Sequence, residues 1–201
     1  MHYPVDETIK VIQEYGLTEY AKQHKEFYKA FGGIHSGVDF DTPVDSNVFS
    51  ALEGIVTRRE WHKGMGFILG VRTGNILVLY AHLNKFLVDL GETVTPGQKM
   101  ALSGDSGCAC TKPHVHVEFR DLIQPTLKSK IFKPDFTLEL PKQHTNVFEY
   151  LIKDEKTIQD ISVKFFGNLN HVEKLVQKNK ILQSFKPNEE LPIGTIIKIY
   201  A

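Results

Sequence analysis

The 201-residue chain has only two cysteines, one tryptophan and no excess of either charge, with Lys+Arg and Asp+Glu each numbering 24. That balance excludes a nucleic-acid protein held by bulk positive charge and a polybasic membrane binder. Cys108 and Cys110 lie two residues apart, where a bridge would be badly strained, so a disulfide scaffold is excluded. The longest apolar run, residues 76–81, is far short of the roughly 20 residues of a membrane span. Met1-His2-Tyr3-Pro4-Val5-Asp6-Glu7 has no basic stretch ahead of an apolar core, which predicts no secretory signal. Hydrophobic residues at 41% and charged residues at 24% exclude wholesale disorder. What is abundant is histidine: nine residues, four of them (His35, His82, His114 and His116) in settings with chemical meaning.

Residues 1–30 read as a helical or irregular N-terminal extension, with residues 8–15 as a turn-rich start. From Val38 the texture becomes short β-branched and aromatic runs broken by Gly, Pro, Asp and Asn, which predicts a mostly β, largely antiparallel domain over 31–124. Thr73-Gly74 with Asn75 reads as a hairpin turn between two such runs. Residues 125–146, with Pro125, Pro134 and Pro141 and no period, read as a linker or wrapping segment. Residues 147–201 then follow the order strand–helix–helix–strand, the helical stretches marked by Ile158, Ile161, Phe165, Val172, Leu175 and Val176. This predicts a small α+β (βααβ) module.

Two short motifs carry the chemistry: His35-Ser36-Gly37-Val38-Asp39-Phe40 and His114-Val115-His116-Val117-Glu118-Phe119. Along a strand, His114, His116 and Glu118 share one face while Val115, Val117 and Phe119 take the other. Imidazoles joined to a carboxylate are what a zinc site with an open coordination position needs. His82 supplies a candidate extra base at the end of another strand. His2, His24, His62, His144 and His171 have no partners at ligand spacing.

On these residues, about 31–120 resembles the LytM/lysostaphin-type zinc metallopeptidases, peptidase family M23. Tyr80-Ala81-His82-Leu83, Val48-Phe49-Ser50-Ala51 with Gly54-Ile55-Val56, and the run from Gly91 through Gln98 match the family in the right order. The resemblance implies that His35, Asp39 and His116 bind one Zn2+. It makes His82 and His114 the catalytic histidines, one as general base and both as donors to the developing oxyanion. Glu118 then orients a ligand from behind, and Tyr28 is a candidate oxyanion donor. The cysteine pair departs from the family pattern and reads as bystander. Gly104-Asp105-Ser106-Gly107 resembles the nucleophile motif of chymotrypsin-like serine proteases, but such an enzyme needs a double barrel of about the whole chain and leaves the histidine pairs unexplained.

Residues 147–201 resemble a LysM domain through Thr157-Ile158-Gln159-Asp160-Ile161, Leu175-Val176-Gln177-Lys178-Asn179 and Leu191-Pro192-Ile193-Gly194. That resemblance implies binding to glycans containing N-acetylglucosamine, with contacts at Asp154, Thr157, Ile158, Asn179 and Ile181. The two resemblances together imply a zinc endopeptidase cutting peptide cross-links or stem peptides of bacterial peptidoglycan. It would act on the cell wall or extracellularly, reached by phage release or non-classical secretion. The alternatives are a catalytically inactive M23-like activator or scaffold, and a zinc endopeptidase acting on proteins.

Overall fold

A computed structural model describes residues 1–137, 147–152, 157–166 and 169–200. Ten strands form one antiparallel sheet: β1 (Val11–Gln13), β2 (Val38–Phe40), β3 (Asn47–Phe49), β4 (Gly54–His62), β5 (Gly66–Thr73), β6 (Ile76–Phe86), β7 (Thr93–Val94), β8 (Lys99–Ser103), β9 (Val115–Asp121) and β10 (Ile131–Phe132). Their order is β1-β2-β9-β6-β5-β4-β7, with β10 on β9, and β8 joining β6 to β3. The hairpin read at residues 73–75 joins β5 to β6, with Thr73 opposite Ile76 and Gly74 at φ +53°. Phe40, Val71, Val78, Tyr80, Val115, Val117 and Phe119 bury the core face of this sheet.

Two N-terminal features differ from the sequence reading. Residues 11–13, inside the turn-rich start, form a strand on the sheet edge, Val11 pairing with Phe40 and Gln13 with Asp39. The helix comes later, as α1 (Glu19–Gln23), where Thr18 Oγ1 accepts from the Ala21 amide. A segment with little apolar period adopts extended backbone because an unpaired sheet edge offers its amides partners. Beyond the β domain, a capped helix, α2 (Leu127–Lys130), leads into β10. The remainder of the 125–146 segment, from residue 138, lies outside the described residues.

The C-terminal part pairs β11 (Val147–Leu151) with β12 (Ile196–Tyr200) antiparallel, with α3 (Ile158–Phe166) and α4 (Val172–Lys178) between them in sequence. Ile152, Ile158, Ile161, Leu175, Leu182, Ile197 and Ile199 form its core, and Ile55 of β4 joins the same cluster. Thr157 caps α3: its Oγ1 accepts from the Asp160 amide at 3.1 Å, and its own amide donates to Asp160 Oδ2 at 2.9 Å.

Candidate metal centre

Sheet register brings the two histidine motifs together. Asp39 of β2 is the direct cross-strand partner of His116 of β9, and His116 faces Ala81 of β6 on its other side. Gly37 permits the close approach, since a Cβ there would collide with the Val117 carbonyl and crowd the His116 ring. His35 sits just before β2, and its amide and carbonyl bridge to Gly16 of the N-terminal segment at 2.9 and 3.0 Å.

Asp39 Oδ1 lies 2.7 Å from His116 Nδ1 and 3.2 Å from His35 Nε2, and those two nitrogens are 3.2 Å apart. All three residues are buried. His35 Nδ1 is 2.8 Å from the Glu14 carbonyl. A carbonyl only accepts, so Nδ1 carries the proton and Nε2 presents its lone pair to the cluster. On His116, Nε2 is flanked at 3.5 Å by Ser36 Oγ and Glu118 Oε2, leaving Nδ1 to face Asp39 and His35. Two ring nitrogens and a carboxylate oxygen thus converge on one point, a donor set able to hold a metal cation. Ligands of a tetrahedral ion bound at about 2.0–2.1 Å lie roughly 3.3 Å apart, close to the spacings here. Among the described residues, this is the one such group of three found within 4.8 Å.

The electrostatics follow from the same contacts. Burial disfavours the Asp39 carboxylate, but the hydrogen bonds to His116 and His35 outweigh it and hold its pKa well below the usual range. Burial also opposes charge on His116, yet Asp39 and Glu118 push it up to about 9. Glu118 is fully buried, ion-paired to Arg120 through Oε1, and its Oε2 makes no hydrogen bond among the described residues. It stands behind His116, as a residue orienting a ligand would.

His82 and His114 occupy the same cleft, with ring centroids 4.5 Å apart. His82 donates from Nδ1 to the Ser106 carbonyl at 2.7 Å, and His114 from Nδ1 to the Lys112 carbonyl at 2.8 Å. Both are therefore left with a lone pair on Nε2, and that of His114 lies 3.9 Å from Asp39 Oδ2. Burial and the neighbouring His114 push His82 down to about 4, and burial lowers His114 as well. Both rings are neutral at neutral pH, in the state that accepts a proton.

The cleft encloses about 720 Å3. Met65, His82, Lys112 and His114 line one side, while Ile12, Gln13, Thr18, Tyr20, Tyr28 and Phe31 of the N-terminal segment line another. Tyr28 packs edge-on against His35 at 5.8 Å, its hydroxyl oxygen accepts from Gln13 Nε2 at 3.3 Å, and burial pushes its pKa to about 12. Cys110 donates to the Lys112 carbonyl at 2.9 Å and lies 3.4 Å from His114 Nδ1. Burial and Asp105 push its thiol up to about 11, so it stays protonated and unreactive.

The glycan contacts read from the sequence divide differently. Ile158 is fully buried in the core of its module, and Asn179 donates to the Leu175 and Lys198 carbonyls and accepts from the Lys198 amide. Both side chains are engaged in the structure of the module, since an asparagine after a helix is as able to bridge backbone as to bind ligand. Thr157 is partly exposed and Ile181 is exposed, whereas Asp154 lies outside the described residues. Motif reasoning did not find Glu14, whose carbonyl sets the His35 tautomer, nor Gly16, since a backbone contact leaves no mark in residue type.

An antiparallel β domain carrying a buried His–Asp–His group at the base of a cleft, with two neutral imidazoles beside it, has the construction of a metal-dependent hydrolase site. Residues 33–128, a little under half of the chain, match the sequence model of peptidase family M23. The chain is 36% identical to the peptidoglycan DD-endopeptidase ShyA of Vibrio cholerae over 85 residues, 42% of this chain and 20% of that protein. Its fold is similar to a zinc-containing peptidase from Vibrio cholerae, with a TM-score of 0.53 and 29% identity over 69% of this chain and 40% of that one. It is also similar to the catalytic domain of the antimicrobial peptidase lysostaphin from Staphylococcus simulans, with a TM-score of 0.53 and 26% identity over 63% of this chain and 89% of that one. The chain spans about a fifth of the length of the curated relatives it matches.

Proposed function

We propose that this chain is a zinc-dependent endopeptidase that hydrolyses peptide cross-links or stem peptides of bacterial peptidoglycan. The observation that carries the reading is the convergence of His35 Nε2, Asp39 Oδ1 and His116 Nδ1 beneath a cleft that also holds two neutral histidines. The similarity to a peptidoglycan DD-endopeptidase supports the substrate class. An inactive scaffold is the less favoured reading, because it has no use for a complete donor set buried at a cleft floor.

His35, Asp39 and His116 hold the ion. When bound, zinc lowers the pKa of water to about 7 and polarises a carbonyl. His82 and His114, each with Nδ1–H tied to a backbone carbonyl, keep Nε2 free to take a proton from the attacking nucleophile and return it to the leaving amine. Glu118 fixes the ring of His116 from behind. The Tyr28 hydroxyl, held protonated by burial, is placed on the cleft wall to donate to a developing oxyanion.

The C-terminal module is LysM-like and holds the enzyme on glycan chains, with Thr157 and Ile181 at its accessible positions. Tethering raises the effective concentration of the cleft on an insoluble substrate. Action is at the cell wall; no helix among the described residues is long and apolar enough to cross a membrane.

Purified peptidoglycans of several cross-link types, incubated with the zinc-loaded chain and analysed by mass spectrometry of soluble products, test the proposal. Peptide fragments that vanish with a chelator and in His116→Ala are expected, and their masses name the bond. Intact substrate of every type with zinc still bound rejects the enzymatic reading.

A further inference from the structure

Strict alternation along β6 would place His82 on the side of Tyr80, in the hydrophobic core. It reaches the cleft because β6 carries an extra residue at this point. Tyr80 pairs with Leu69 and Leu83 with Phe67, so two residues of β6 stand where β5 has one. Within this bulge His82 takes φ +59°, the left-handed region that a side chain rarely occupies. Something must hold it there.

Residue 106 does so through three hydrogen bonds. The Ser106 hydroxyl donates to the Leu83 carbonyl at 2.6 Å and accepts from the Phe67 amide at 3.0 Å, gripping β6 and β5 beside the bulge. The Ser106 carbonyl accepts the His82 Nδ1 proton at 2.7 Å. The loop is pinned from outside as well: the His82 amide donates to the Met65 carbonyl, Cys108 to Lys63 and Ala109 to Gly64, at 2.9–3.0 Å. Gly66 and Gly107, both at positive φ, interlock so closely that a Cβ on Gly66 would collide with Ser106, and one on Gly107 with the Gly66 amide.

We propose that Ser106 is the positioning residue for His82: its hydroxyl locks the bulge, and its carbonyl fixes the tautomer that leaves Nε2 free towards the cleft. This rests on the peptidase reading, in which His82 handles the proton. It also assigns a role to Gly104-Asp105-Ser106-Gly107 that involves no nucleophile. The serine hydrogen is committed to the Leu83 carbonyl, so the hydroxyl acts as a strut.

The test uses the full chain, loaded with zinc, as wild type, Ser106→Ala, Ser106→Thr, His82→Ala and the Ser106→Ala/His82→Ala double variant. Nitrogen-15 NMR of the imidazoles reads the tautomer, and peptidoglycan cleavage reads the rate. Wild type and Ser106→Thr should carry the His82 proton on Nδ1. Ser106→Ala should show mixed tautomers and a kcat lowered by up to about 10²-fold, with KM and bound zinc unchanged. In the His82→Ala background the serine change should cost nothing further. An unchanged tautomer and kcat in Ser106→Ala, or losses that multiply in the double variant, overturn the assignment of Ser106 alone. Should Ser106→Ala not fold, a His82 proton found on Nε2 in the wild type still overturns it. An unchanged kcat in His82→Ala overturns the functional reading of His82, and the role of Ser106 with it.

Discussion

The two halves of the cleft are built by different means. The half formed by His35, Asp39 and His116 is positioned by backbone pairing: Asp39 and His116 stand in cross-strand register, and His35, just before β2, bridges to Gly16. The half formed by His82 and His114 is positioned by loops: His82 sits in a bulge against the Ser106 carbonyl, and His114 stands at the mouth of β9 against the Lys112 carbonyl. The charges diverge accordingly. Asp39 and Glu118 push His116 up to about 9, whereas burial and His114 push His82 down to about 4. One fold thus pushes two imidazoles of one cleft in opposite directions, His116 through its carboxylate neighbours and His82 through burial and a neighbouring ring.

The largest effect should come from breaking the sheet side. Asp39→Ala removes the carboxylate from the donor set, and loss of zinc by elemental analysis should accompany a fall in cleavage of about 10³-fold or more, the several kcal/mol of stabilisation a metal provides. Breaking the loop side should leave the metal in place. His82→Ala is expected to retain zinc while kcat falls by about 10²–10⁴-fold; loss of zinc in this variant would erase the distinction between the halves. Behind the ligand, Glu118→Gln should weaken zinc affinity by about 10–100-fold in a competition titration with a chelator, with the fold intact by circular dichroism.

The smallest effect sharpens the comparison through pH. In chelated protein, His82 has a folded pKa below its unfolded value of 6.5, so its contribution to stability is lost as pH falls from about 6.5 towards 4. His116 has a folded pKa above that value, so its contribution is complete below 6.5 and is lost as pH rises through about 9. Denaturant titrations across this range should show maximal stability near pH 6.5. A stability that climbs steadily from pH 4 to pH 9 would mean that the two halves are not opposed.

Much of this was legible beforehand, for a physical reason in each case. The hairpin at Thr73-Gly74-Asn75 follows from local turn chemistry, and the shared face of His114, His116 and Glu118 from the two-residue period of a strand. The C-terminal element order follows from apolar spacing. Less legible was the N-terminal strand Val11–Gln13, whose formation depends on a free edge of β2 supplied from elsewhere in the chain. Ile158 and Asn179 carry the same motif letters whether they face a sugar or a core, and burial alone separates the two.

By itself, then, the sequence determined the inventory of the site: which residue types are present, at which spacings, and which of them a regular strand would turn to one side. Tertiary structure decided how each ring is used. The tautomers of His35, His82 and His114 are set by the carbonyls of Glu14, Ser106 and Lys112, and for the first two the partner lies 21 and 24 residues away. The cleft-facing direction of His82 comes from a bulge that breaks the period from which its orientation would be read. Backbone acceptors are identical at every residue, so their placement is written only in the fold.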